Sequence, residues 1–275
     1  MEPNAIYTDL NETFQAAMSY VILSRITNIG QLYLKDFKQS KIYCNPVAKR
    51  EAKRLRARAI NKKQTVWNEE KDNFVRITSL NARSLQLHRN DLKNDEFIMQ
   101  SDILCIQETW LSTDLDQPMG NFEDYYIHRG SKGIALFSRL KPLNILNLYS
   151  DTCTIIKATY DAFDLINVYR FSDTNINECT EEVLTLINLS RTQIIVGDMN
   201  IDIIKDSQNS FTQSLQQKGF RQMVERPTHE LGGLIDHVYF YSPSSENSCT
   251  LYKYHTVFWS DHLCQSLILN LSQDS

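Results

Sequence analysis

Five short stretches place acids, amides and a histidine where a metal-dependent phosphodiesterase needs them: Ser79 to Ser84 (SLNARS), Ile106 to Trp110 (IQETW), Asn167 to Arg170 (NVYR), Val196 to Asn200 (VGDMN) and Trp259 to His262 (WSDH). Glu108 is a hard oxygen donor suited to Mg²⁺ or Mn²⁺, ions that keep several waters and meet one or two carboxylates plus substrate phosphate. Asp198 could accept a proton from water while Asn200 orients that water or donates to a phosphate oxygen. His262 could stabilise a pentavalent phosphorane as imidazolium if a carboxylate holds its ring, and Asp236 in LIDHVY (234–239) is the partner at hand. The amide of Asn81 and the phenol of Tyr169 suit metal-bound water and phosphate oxygens. Taken singly, each residue has an ordinary explanation: an edge charge, an Asx turn, a hydrogen-bonded histidine. His88, His128, His229, His237 and His255 are read in that ordinary way. What joins the others is their order along the chain.

Each stretch closes or follows an apolar, β-prone run, so the polar residues should gather at the ends of neighbouring strands. From Phe74 onward such runs alternate with turns: FVRITSL, DILCIQ, YYIH, GIALFS, NILNLYS, CTIIKATY, FDLINVY, QIIVGD, LIDHVYFY, CTLYKYHTVFW and LCQSLILNL. Helices are expected over DLKNDEFIMQ (91–100), ECTEEVLTLINLS (178–190) and QNSFTQSLQQKG (208–219), the last stopped by Gly219. So many strands with few helices predict two sheets covered by helices rather than one doubly wound sheet.

With 275 residues, 42% of them hydrophobic, the chain can bury one large core and carry an appendage. Its six cysteines show no CxxC pair and no regular framework, which favours a reducing compartment, nuclear or cytoplasmic. No stretch has signal-peptide form or membrane-spanning length, so secretion and membrane insertion are not expected. The net charge of −4 hides a division: residues 1–73 hold 13 Lys and Arg against 8 Asp and Glu (+5), the remainder 16 against 25 (−9). Eight basic residues and one acid lie between Lys49 and Lys63, on a helix whose first turn Pro46 would suit. That run is either a phosphate-binding or nuclear-targeting element, or a solvated helical linker.

In order, the motifs resemble the endonuclease/exonuclease/phosphatase superfamily, and most closely the apurinic-endonuclease-like domains of mobile elements. The resemblance covers about Phe74 to Leu271 and includes PTH (227–229) and LIDHVY (234–239). It implies a four-layered α/β sandwich, two mixed β-sheets flanked by helices, and divalent-metal hydrolysis of a phosphodiester. Asn81, Glu108 and Asp261 match the metal-site positions, and Asp198 with Asn200 the pair that activates and positions water. His262 matches the histidine on the scissile phosphate, Asp236 its orienting acid, and Tyr169 the phosphate-binding tyrosine. Where the family commonly has proline after that tyrosine, this chain has Arg170, which leaves the shape of the adjoining loop open.

Met18 to Leu34 (MSYVILSRITNIGQLYL) resembles the last conserved motif of superfamily-one helicases of Helitron transposons, with Arg25 at the position that touches the γ-phosphate. No GxxxxGK[ST] occurs, so ATP hydrolysis is not expected. The reading is therefore a helicase remnant over 1–45, a basic helix and polar linker over 46–73, and the nuclease domain over 74–275. A monomer is expected, acting on DNA with Mg²⁺ or Mn²⁺, its partner the helicase portion of a larger transposon protein. RNA or small phosphoesters are the alternative substrates, and a catalytically silent DNA-binding remnant the alternative role.

Overall fold

The computed structural model describes residues 6–9, 32–35, 46–62, 74–111, 122 and 124–271. The chain divides into two compact units, Met1–Arg56 and Ala57–Ser275. In the first, β1 (Ile6–Asp9) pairs in parallel with β2 (Leu32–Lys35). The basic run forms α1 (Pro46–Lys62), with Pro46 in its first turn, where a missing N–H costs nothing. Glu51 forks onto Arg54 one turn along. The helicase-like run 18–31 with Arg25, and the linker 63–73, lie outside the described residues. Among those described, no helix is long and apolar enough to cross a membrane.

The second unit is built on two six-stranded mixed sheets. One comprises β3 (Phe74–Asn81), β4 (Ile103–Gln107), β5 (Tyr126–Arg129), β6 (Ile134–Ser138), β13 (Ser248–Thr256) and β14 (Leu263–Asn270), in the order β13-β14-β3-β4-β6-β5. The other comprises β7 (Asn144–Tyr149), β8 (Cys153–Thr159), β9 (Phe163–Arg170), β10 (Thr192–Asp198), β11 (Arg221–Gln222) and β12 (Asp236–Tyr241), in the order β11-β12-β10-β9-β8-β7. Period-two alternation sends Ile103 and Cys105 of β4 inward to meet Ile194 and Val196 of β10, while Leu104 and Ile106 face outward. That outward face is covered by α2 (Leu85–Lys93) and a 3₁₀ turn (Ile98–Gln100) through Leu85, Leu92 and Ile98. On the other sheet, Val168, Ile195 and Tyr239 are covered by α3 (Ile176–Thr185) and α4 (Ser210–Gln217). Helix, sheet, sheet and helix make the four-layered α/β sandwich expected from the sequence.

One helix lies elsewhere than expected. Instead of 91–100, α2 spans Leu85–Lys93, because Ser84 caps it by accepting from the Leu87 N–H. Asp95 then accepts from the N–H groups of Phe97 and Ile98, which turns the chain into the 3₁₀ segment.

Each sheet has one parallel pair at its centre, β3 with β4 and β9 with β10, and the other neighbours run antiparallel. Close approach at the second pair requires Gly197: at φ +140° its missing Cβ would stand 1.9 Å from the carbonyl oxygen of Val168. No side chain fits there without separating β10 from β9.

Candidate active site

The parallel pairs bring their carboxyl ends to one edge of the sandwich. Asn81 ends β3, Glu108 follows β4, Tyr169 is next to last in β9, and Asp198 ends β10. β12 runs against β10, so its first residue, Asp236, lies opposite Asp198, which on its other side is opposite Tyr169. Ser260 donates to the Asn81 carbonyl at 2.8 Å and fixes the segment carrying Asp261 and His262 beside them. Positive φ values collect here, at Arg83 (48°), Glu108 (49°), Trp110 (49°) and Asn200 (49°), and such strain persists only where surrounding contacts hold it.

Asn81 joins the two sheets. Its buried amide nitrogen donates to Glu108 Oε1 (2.9 Å) and to Asp198 Oδ2 (2.8 Å), while its oxygen accepts from the Arg83 N–H (2.9 Å). The opposite amide orientation would set an oxygen against two carboxylates and a nitrogen against an N–H, so the network selects this one. With both N–H bonds used, Asn81 serves as a clamp and has only its carbonyl oxygen left to offer. A donation from its amide to phosphate, one of the sequence-based roles, is not available in this arrangement.

Asp198 is buried, and each of its oxygens already accepts one bond, from Asn81 and from the Asn200 N–H (2.9 Å). Burial first, then the charge of Asp236, pushes its carboxyl up to about 7, against the lowering pull of His262 and the two donors. His262 Nδ1 sits 3.0 and 2.9 Å from the two oxygens of Asp236. Burial alone would lower this imidazole, but the Asp236 bond and the charges of Asp236, Asp198 and Asp261 outweigh it and raise it to about 9. Asp236 is itself aligned through Thr228 of the PTH stretch, whose hydroxyl accepts from the N–H groups of Ile235 (3.2 Å) and Asp236 (3.1 Å). The Tyr169 phenol is raised by burial and by facing Glu108 and Asp198, so it stays protonated and able to donate.

The oxygen-rich donor set fits a hard divalent cation. Oδ1 of Asp261 is buried and accepts no hydrogen bond among the described residues, with His262 Nε2 3.8 Å away. A desolvated carboxylate oxygen without a donor is costly unless a cation meets it. Among the described residues, ligand atoms of His229, Asp261 and His262, and of Asp198, Asp236 and His262, lie within 4.8 Å of one another, close enough to hold a cation, while Glu108 is joined to Asp198 through the Asn81 amide that donates to both.

Arg170 resolves the question left by the absent proline. Its side chain is 4% exposed, and its guanidinium donates to the carbonyls of Met199 (2.6 Å), Asn200 (2.9 Å) and Thr174 (2.8 Å). Asn200 Nδ2 returns a bond to the Arg170 carbonyl at 2.7 Å, which commits one of its two N–H groups and leaves the other for a ligand. An arginine fork rather than a ring thus shapes the loop beside Asp198. Arg170→Met should lower unfolding stability by about 2 to 4 kcal/mol, since several buried carbonyls lose their donors at once. A shift in the urea midpoint at unchanged slope would measure it.

All eight residues picked from the sequence lie in this one cluster. His88, His237 and His255 instead bond groups outside this cluster, Asp91, the Ile201 carbonyl and Asp95. Sequence reasoning gave no role to three contributors: Arg83, whose Nη1 is 2.5 Å from Asp261 Oδ2; His229, whose Nε2 is 3.3 Å from the same oxygen; and the Arg170 fork. All three sit inside quoted motifs, SLNARS, PTH and NVYR, and that membership was the available signal.

Two stacked mixed sheets, with acids, amides and a histidine collected at one edge, make the chain an α/β sandwich with a polar candidate site. More narrowly, it belongs to the Endonuclease/Exonuclease/phosphatase family, whose sequence profile matches residues 67–262. Among solved structures it is similar to the endonuclease domain of TRAS1, a telomere-specific non-LTR retrotransposon, at 15% identity and TM-score 0.57, covering 73% of this chain and all of that one. It is also similar to an AP endonuclease from Archaeoglobus fulgidus (19% identity, TM-score 0.54, 72% of this chain and 100% of that one). A third likeness is to the 3'-5' exonuclease NExo from Neisseria meningitidis (20% identity, TM-score 0.54, 70% and 98%). No curated protein sequence matches the chain.

Proposed function

We propose that this protein is a divalent-metal-dependent endonuclease that hydrolyses DNA phosphodiesters, derived from a mobile element. The observation that carries the reading is the position of Asp198, buried, bonded to Asn81 across the sheets and facing the Asp236–His262 pair. Asp198 takes the proton of the attacking water, and its carboxyl near 7 suits that task at neutral pH. The free N–H of Asn200 orients the water or a phosphate oxygen. His262, held as imidazolium by Asp236, stabilises the phosphorane together with the Tyr169 phenol. A divalent ion bound by Glu108 and Asp261 would supply Lewis-acid stabilisation of the developing charge. Support for DNA as substrate comes from the similar structures, an AP endonuclease, an exonuclease and a retrotransposon endonuclease domain by their names.

The mobile-element origin rests on the wording of ETW and LIDHVY and on the helicase-like run 18–34. On this reading 1–45 is the helicase remnant, 46–73 the basic helix and linker, and 74–275 the nuclease domain. The basic run offsets the −9 balance of the nuclease part by giving DNA phosphates something to hold. Supercoiled plasmid, abasic duplex and RNA incubated with Mg²⁺ or with EDTA test the assignment. Plasmid nicking that EDTA and Asp198→Ala both abolish is expected. Cleavage indifferent to Asp198→Ala or His262→Ala would sink it, and cleavage of RNA alone would change the substrate.

A further inference from the structure

β11 and β13 are outer strands of the two sheets, and residues of both line one cavity of about 630 Å³. Two contacts pin its walls together. Arg221 Nη2 donates to the Cys249 carbonyl at 3.4 Å, and the Glu225 N–H donates to the Tyr254 hydroxyl at 3.2 Å. Between Cys249 and Tyr254 the register of β13 on β14 slips, from Leu251 to Lys253, a bulge of the kind that re-aims side chains at sheet edges.

The floor of this cleft is apolar: Met223, Leu251 and Tyr254 are partly buried and packed on the core between the sheets. Its rim is charged. Arg221, Glu225 and Arg226 are exposed there, and among the described residues no carboxylate pairs with either arginine. The Arg226 guanidinium carbon stands 3.7 Å from the centre of the Tyr254 ring, a contact that uses none of its N–H donors.

Positive charge is scarce in this part of the chain, where residues 74–275 hold 16 Lys and Arg against 25 Asp and Glu. Two arginines without acids at one cleft therefore select an anion, and the guanidinium fork matches the oxygens of phosphate. The floor selects something flatter and less polar. Aromatic and apolar side chains beside a basic rim are the means by which proteins hold a base or sugar next to its phosphate, and the volume lies within the roughly 300–1,000 Å³ of small-ligand sites. From Arg226 the chain runs through Pro227 to Thr228, whose hydroxyl accepts from the Asp236 N–H, so the cleft and the candidate active site share one loop.

We infer that this cleft binds one nucleotide unit, its phosphate on Arg221 and Arg226 and its base or sugar on Met223, Leu251 and Tyr254. The shared loop favours a unit of the strand being cut over a free nucleotide. That choice of source rests on the DNA-cleaving reading above; the chemistry of the cleft does not.

Binding measured in EDTA separates the cleft from cleavage. An oligodeoxynucleotide of about eight nucleotides and free dAMP are titrated into protein carrying ¹³C-methyl methionine, with the Met223 signal identified by its loss in Met223→Leu. The oligonucleotide should move that signal. Arg221→Gln and Arg226→Gln should each weaken its binding about 10- to 100-fold and lower the slope of log affinity against log salt by about 1, with urea midpoints close to the parent's. An arginine that only packs would leave the salt slope unchanged. A Met223 signal that neither ligand moves, or arginine variants with the parent's affinity and slope, would overturn the inference. Binding of dAMP as tight as that of the oligonucleotide would keep the cleft and overturn the strand as its source. Plasmid nicking in Mg²⁺ is read separately: nicking without binding at the cleft sinks this inference alone, and binding without nicking sinks the proposed function alone.

Discussion

Asp198→Asn is expected to lose about 10³- to 10⁴-fold in nicking rate and yet to unfold at a higher temperature above neutral pH. The rate falls because the amide cannot take the proton of water. Stability rises because burial and the facing Asp236 push the Asp198 carboxyl from the ordinary 3.8 up to about 7. A raised carboxyl stabilises the fold fully only below the unfolded value; that contribution is lost as pH climbs from about 4 to 7, and at pH 8 the folded state holds the buried charge in full. Removing the charge regains on the order of a few kcal/mol, offset by about 1 kcal/mol for the bond with Asn81 that an amide cannot accept at both atoms. A net gain of roughly 4 to 8 °C at pH 8, closing below pH 4, is the expected melting result without divalent ions. A variant that melts lower than the parent at pH 8 would contradict this account of the carboxyl.

Asp236→Asn should move the whole pH–rate profile toward acid. On the proposed mechanism, activity in the intact site should rise as Asp198 loses its proton near 7 and fall as His262 loses its own near 9. Without the Asp236 charge, His262 loses its main support while burial still favours the neutral ring, so its titration drops to the ordinary 6.5 or below. Asp198 loses its largest raising charge at the same time, and the ascending limb moves down as well. At pH 8 the rate should fall about 10²- to 10³-fold, through lost imidazolium and lost ring orientation together. At pH 6 the deficit should be several times smaller. A deficit independent of pH would mean that Asp236 only packs.

Most of the sandwich was legible because its strands are apolar runs that end in polar residues. DILCIQ before Glu108 and QIIVGD at Asp198 each carry a buried strand straight to the site edge. The helix over 85–93 was misread because its start depends on one hydroxyl, that of Ser84, in a stretch singled out for Asn81 instead. β11, two residues long, has too little pattern to show. The Arg170 fork could not be foreseen, since its acceptors come from two separate loops. Nor could the approach of His229 to within 3.3 Å of Asp261, a carboxylate 32 positions away. Local pattern shows where strands stop; it does not show which lone pair is left over.

The bond between Asn81 and Asp198 has a mechanical meaning. On the proposed roles, the proton acceptor rides on one sheet and the cation ligands Glu108 and Asn81 on the other, so the site is a seam and would work only when two independently twisted surfaces are in alignment. Turnover then gauges that alignment. A packing defect between the sheets, at Leu136 or Val196 for example, would show first as slowed cleavage, while the spectroscopic signature of the strands remained intact.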